Sequence, residues 1–144
     1  MYVTCLYLVY DHTERRARVA SAGHKLPAVI YKAERDAIAR VHPGGIAMGL
    51  DKGPVFDGSI EEQSIVLAQG DTMLLGSDGI TQLALKSGEE LGDQRLMKAA
   101  LNVMKKGSSE PAQGIVSAVE GHLGDDPGEH DVTLVTLRCT ESAS

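Results

Sequence analysis

The sequence predicts an α+β domain, with antiparallel strands in its first half and helices in its second. Three observations carry this reading. β-branched and aromatic runs separated by turn residues fill most of residues 1–75. Apolar residues then recur at helical spacing from 93 to 123, and a last apolar run, Asp131 to Arg138, closes the chain as a strand. At 144 residues the chain forms one domain at most and can bury a core. That core must be aliphatic, because the sequence has no Trp, one Phe and four Tyr.

Tyr2 to Tyr10 is almost continuously β-branched or aromatic, which is the pattern of a strand covered on both faces in the middle of a sheet. Asp11-His12-Thr13-Glu14 turns the chain, and Arg16 to Ala22 returns as a second strand. The densest basic cluster, Arg15-Arg16-Ala17-Arg18, reads as the solvated tip of that hairpin. After the break at Ala22-Gly23-His24, Leu26 to Tyr31 reads as a third strand, with Pro27 at its start or on an edge. Lys32 to Gly58 has a weaker pattern and turn residues at Pro43-Gly44-Gly45 and Lys52-Gly53-Pro54. It reads as a loop or flap with one short strand, Ala37 to Val41.

Ser64 to Ala68 and Thr72 to Leu75 read as an antiparallel pair joined at Gln69-Gly70-Asp71. Ile80 to Leu85 follows as a short helix. Asp93 is placed to cap a helix running to about Lys105, with Leu96, Ala99, Ala100, Val103 and Met104 on one face. Ser108 or Ser109 is placed to cap the next, with Pro111 in its first turn. Residues 1–139 thus form the domain, and 140–144 are expected to be a frayed tail.

The net charge of −6 argues against a nucleic-acid partner or an anionic membrane surface. No apolar run approaches the roughly 20 residues of a membrane span, and no signal-peptide pattern opens the chain. Cys5 and Cys139 lie in strand-like runs and read as free buried thiols, which fits a cytoplasmic location.

The chemistry concentrates at two acidic corners. In Thr72 to Gly79 an apolar strand ends in Ser77-Asp78-Gly79, and a carboxylate at a strand end is costly unless something pairs with it. Asp78 offers a hard oxygen ligand and Gly79 permits close approach, a combination suited to Mg²⁺ or Mn²⁺. Alternatively, Asp78 merely caps the following helix at Thr81 or Gln82. The second corner is His130-Asp131, at the start of the last strand. If the two strands are neighbours, the corners can share a divalent cation. The alternative makes Asp131 a strand-entry residue and His130 a loop residue.

The order Ala22-Gly23-His24, Met48-Gly49-Leu50, Gly70-Asp71, Ser77-Asp78-Gly79-Ile80-Thr81 and His130-Asp131-Val132-Thr133-Leu134 resembles one family in particular. This is the bacterial stage II sporulation branch of the metal-dependent (PPM, type 2C-like) serine/threonine phosphatases, and the resemblance spans roughly residues 1–138. It implies a β-sandwich flanked by helices, with two Mn²⁺ or Mg²⁺ ions at its edge that activate water against a phosphoserine or phosphothreonine. It implies as substrate a phosphorylated anti-sigma-factor antagonist. By position, Asp78 would be a metal ligand, whereas Gly79 receives no ligand role.

Two departures qualify what the resemblance implies. The family opens its last strand with two acidic residues and uses the first as ligand; here that place is held by His130, so either His130 substitutes as ligand, or Asp131 reaches in, or that metal is weakened. The family's bridging carboxylate lies in a Gly-Asp segment before the point matching Met1, so the sandwich is expected to lack its N-terminal part. Phosphatase activity of the chain alone is then expected to be low. An exposed edge or apolar face would favour pairing with another chain, a homodimer included. The competing reading is a non-catalytic regulatory or binding module derived from the same fold. A third is an unrelated domain whose acidic corners are caps. His24, in a turn between strands, reads as a hydrogen-bonded structural residue, with a general-acid role as the minor alternative.

Overall fold

Alternation along one central strand divides the protein into its layers. In β3 (Ala28–Lys32), Ala28 and Ile30 point into one apolar cluster and Val29 and Tyr31 into another. All four are buried, as period-two alternation requires of a strand covered on both faces. The computed structural model describes residues 1–141, so the last three residues of the expected frayed tail lie outside the described part.

β3 belongs to a four-stranded antiparallel sheet with β4 (Ala37–Val41), β6 (Thr72–Gly76) and β7 (Leu134–Arg138), in the order β4-β3-β6-β7. β1 (Cys5–Asp11), β2 (Arg16–Ala22) and β5 (Glu62–Val66) form a three-stranded antiparallel sheet with β2 in the middle. Between the sheets lie Ala17, Val19, Ala28, Ile30, Leu67, Met73 and Cys139. The other face of the four-stranded sheet is covered by α2 (Gly92–Lys105) and α3 (Pro111–Glu120) through Leu96, Met97, Ala100, Met104, Ile115 and Val119. The antiparallel sandwich with flanking helices is therefore present. Its core is aliphatic, and both cysteines are free, Cys139 buried and Cys5 half-buried.

Several local expectations are corrected. Ser64 to Ala68 and Thr72 to Leu75 are not a pair. β5 joins β2, whereas β6 lies between β3 and β7 in the other sheet. The connecting residues are pinned to both sheets rather than folded as a hairpin. Leu67 is fully buried between the sheets and donates its N–H to Arg15 O at 2.8 Å, while Asp71 is bonded to Lys32 and Ala33 beside β3.

β1 is an edge strand rather than a central one, with Tyr7 63% exposed on its outer face. Its apolar run reports side chains able to pack on both faces, but among the described residues only the inner face is covered. Ala17, in the supposed solvated hairpin tip, is buried in the core. The flap contains a short helix, α1 (Pro54–Ser59), which Gly58 and Pro54 disguised. The helix after Asp78 is a 3₁₀ turn, Asp78–Gln82, that starts earlier and ends sooner than expected. Asp93 lies inside the first turn of α2, where its charge meets the helix dipole, and does not cap it. Ser108 accepts the Glu110 N–H at 3.2 Å, one turn before Pro111 begins α3.

Candidate metal centre

The two acidic corners meet because β6 and β7 are neighbours. Their register runs from Thr72 opposite Arg138 to Gly76 opposite Leu134. This carries residues 130–133 past the end of β6, alongside Ser77, Asp78 and Gly79. At Gly76 the strands pack closely, since a Cβ there would lie 2.7 Å from Leu134 Cδ2. Beyond it the chain stays extended through Ser77 and then tightens into the 3₁₀ turn, held by burial of Ile80 in the helix-side core.

Ser77 fastens the corners together. Its N–H donates to Thr133 O at 2.9 Å, and its hydroxyl accepts the Thr133 N–H at 3.0 Å and donates to Asp131 O at 3.2 Å. Gly79 completes the contact from the other side. A Cβ on it would stand 2.2 Å from Asp131 O and 3.4 Å from His130 Cβ, so the backbone of the second corner occupies the space a side chain would need. The His130 ring lies over Gly128. Asp78 is half-buried, and His130 and Asp131 are exposed.

The capping alternative for Asp78 is not what forms. The bond that closes this turn runs from Thr81 Oγ1 to the Asp78 backbone carbonyl at 2.7 Å. Among the described residues no protein donor meets the Asp78 carboxylate. Asp71, at the opposite end of β6, is the contrasting case. It is 1% exposed and accepts from Lys32 Nζ at 2.8 Å, Ala33 N at 3.0 Å and Ala68 N at 2.9 Å. Such a saturated carboxylate serves structure.

His24 is anchored as well. Its Nε2 lies 2.8 Å from Gly76 O, and its backbone N–H donates to Ser21 Oγ at 3.2 Å. An Nε2–H bonded to that carbonyl ties the end of β2 to the end of β6, next to Asp78, and is not free to protonate a substrate. His42 Nε2 in turn lies 3.0 Å from His24 O, linking the loop after β4 to the same junction. Sequence reading had assigned no task to Ser77 or His42. A hydroxyl immediately before Asp-Gly is the one local signal for the first; the second carries none.

These residues fit one flank of a divalent-cation site. Oxygen and imidazole donors stand at two adjacent corners, brought together because Gly79 lets the Asp131 backbone approach closely. They do not close a site by themselves, because among the described residues no three His, Cys, Asp or Glu side chains are grouped to hold an ion. Mg²⁺ or Mn²⁺ takes about six ligands, so water, phosphate or further protein would supply the rest.

Two antiparallel sheets face to face, with helices covering one of them, match the PP2C-type phosphatase fold. Solved structures agree. The SiaA-PP2C domain of Pseudomonas aeruginosa superposes with a TM-score of 0.70 at 21% identity, over 91% of this chain and 49% of that one. A Bacillus subtilis SpoIIE structure containing the PP2C phosphatase domain and a fragment of the regulatory domain gives 0.73 at 20% identity, over 94% and 37%. The RsbU and RsbW domains of a Mycobacterium tuberculosis protein give 0.64 at 20%, over 92% and 35%. This chain therefore spans half or less of the length of these structures. No curated protein sequence matches it. The sequence profile of the Stage II sporulation protein E (SpoIIE) family matches residues 1–140, and the chain belongs to that family.

Proposed function

We propose that this chain is the C-terminal portion, residues 1–139, of a metal-dependent phosphoserine/phosphothreonine protein phosphatase domain. The carrying observation is the Ser77 clasp, which sets Asp78 beside His130-Asp131 at the end of two neighbouring strands. Asp78 would hold a divalent ion together with His130 or Asp131. When bound, a pair of Mn²⁺ or Mg²⁺ ions supplies a hydroxide-like water near neutral pH and neutralises phosphoryl charge. The protein's own part is to bring the two corners into contact at Gly79 and hold the strand ends together through Ser77 and His24. Family membership supports a regulatory phosphoprotein as substrate, of the anti-sigma-factor antagonist type, in a cytoplasmic setting. Among the described residues no helix is long and apolar enough to cross a membrane.

A second reading, a non-catalytic binding module of the same fold, is favoured by the open donor set and by imidazole where a carboxylate would supply charge. Calorimetric titration of the protein with Mn²⁺ separates the two. The metal-site reading expects saturable Mn²⁺ binding that Asp78→Asn weakens by about tenfold or more. Binding that ignores Asp78, or no binding at all, favours the module. Activity of the chain alone is expected to be low.

A further inference from the structure

An open groove of about 720 Å³ lies on the helix layer, bounded by α2, α3 and the loops 85–91 and 121–122. It is distinct from the acidic corners and shares no residue with them. Its electrostatics reverse those of the molecule. The whole sequence has 20 acidic against 14 basic residues, yet the groove is lined by Lys86, Arg95, Lys98 and Lys106 with a single carboxylate, Glu89. Glu89 is already paired with Arg95 at 2.9 Å. Among the described residues Lys86, Lys98 and Lys106 have no carboxylate partner within ion-pair distance.

The lining is also amphipathic. Leu85, Ala99, Val103 and Ala118, all half-buried, contribute apolar surface between the cations. The lining positions 95, 98, 99, 102 and 103 of α2, with 106 at its C-terminal cap, make a single helical face. The eleven steps from 95 to 106, at 1.5 Å each, make a stripe about 16 Å long. The loops that bound it are fixed to one another, because Lys86 N donates to His122 O at 3.2 Å and Lys86 Nζ to Gly121 O at 3.3 Å.

We infer that this groove docks an acidic, amphipathic peptide segment of a partner protein, with aliphatic side chains on the Ala99–Val103 strip and carboxylates facing Lys98 and Lys106. Charge complementarity selects an anionic partner, and the stripe matches about three turns of a helix laid in a groove. Nucleic acid fits less well, since no Phe, Tyr or Trp among the described residues lines the groove to stack on a base and the net charge of −6 repels a polyanion.

The test uses the 144-residue protein and a display library of random peptides about 16 residues long, long enough to cover three helical turns. Enriched sequences are expected to interleave Asp or Glu with Leu, Ile or Val. A synthetic consensus peptide is expected to lose about tenfold or more in affinity on Lys98→Glu/Lys106→Glu, and to bind more weakly as salt rises. Circular dichroism of the double variant checks that it is folded. Failure to enrich acidic sequences, or a consensus peptide indifferent to the charge reversal, overturns the inference. So does a single-stranded oligonucleotide that binds as tightly with the same dependence, or sedimentation showing that the protein self-associates through these lysines. Mn²⁺ binding is not expected to change in this variant, so failure here is distinguishable from failure of the metal-site reading.

Discussion

The Ser77 hydroxyl donates to the backbone carbonyl of Asp131 at 3.2 Å, joining residues 54 apart in sequence at the rim of the sandwich. The same oxygen accepts the Thr133 N–H at 3.0 Å, so one small side chain positions the whole entry to β7. Ser77→Ala keeps the volume close but removes both bonds. It is expected to cost about 1 kcal/mol, from the low end of roughly 0.5–1.5 kcal/mol per bond because both bonds are solvent-exposed. The Thr133 amide is expected to exchange faster with solvent. Urea denaturation and hydrogen exchange report the two effects, and an unchanged Thr133 rate would count against the clasp.

Gly79 faces the same carbonyl from the other side. A Cβ placed 2.2 Å from Asp131 O is far inside contact distance, and the obstacle is backbone rather than a flexible side-chain end. Gly79→Ala is therefore expected to displace residues 130–132 and destabilise the protein by about 1–3 kcal/mol. A thermal melt at or above the wild-type midpoint would show that the corner yields freely.

Asp71 tests the other end of the same strand. Removing its carboxylate leaves the Ala33 and Ala68 N–H groups and Lys32 without their acceptor. Asp71→Ala is expected to cost on the order of 3 kcal/mol, below the full buried-pair value because Lys32 remains partly solvated. Mn²⁺ affinity, measured where the variant is folded, is expected to stay unchanged, since Asp71 and Asp78 lie at opposite ends of β6.

Asp36 makes stability depend on pH. Hydrogen bonds from Lys105 first and from the Tyr31 hydroxyl second hold its carboxyl below the usual carboxylate range. A depressed folded-state value means that the contribution is present above the unfolded value of about 3.9 and is lost as pH falls through the folded one. Denaturant midpoints taken between about pH 6 and about pH 3 are expected to fall less steeply in Asp36→Asn than in the wild type. Parallel slopes would remove Asp36 from the account.

Legibility in the sequence followed the range of each interaction. The runs that became β1 to β4 and the periodic helices α2 and α3 are local patterns, and they were visible. Asp78 stood out because a carboxylate at the end of an apolar strand has a cost. The sheet assignments of β5 and β6 were misread because their partners are distant. Arg16 meets Ser64 across 48 residues, and Arg138 meets Thr72 across 66. Ser77 was illegible as a clasp for a related reason: its partners are a backbone carbonyl and an amide, groups that almost any residue presents. Asp71 read as an ordinary turn residue because nothing nearby announced Lys32 and Ala33.

The placement of β7 bears on the order in which the protein can be made. The hairpins β1–β2 and β3–β4 close over a few residues and can form early, whereas β6 gains its second neighbour only from residues 134–138. During synthesis the first acidic corner leaves the ribosome more than fifty residues ahead of the second, their clasp spanning 56 positions from Ser77 to Thr133. Until the final strand arrives, the flank of β6 that carries Asp78 is an unpaired edge. The candidate site thus assembles only once β7 has docked on β6, and a nascent chain cannot present it before then.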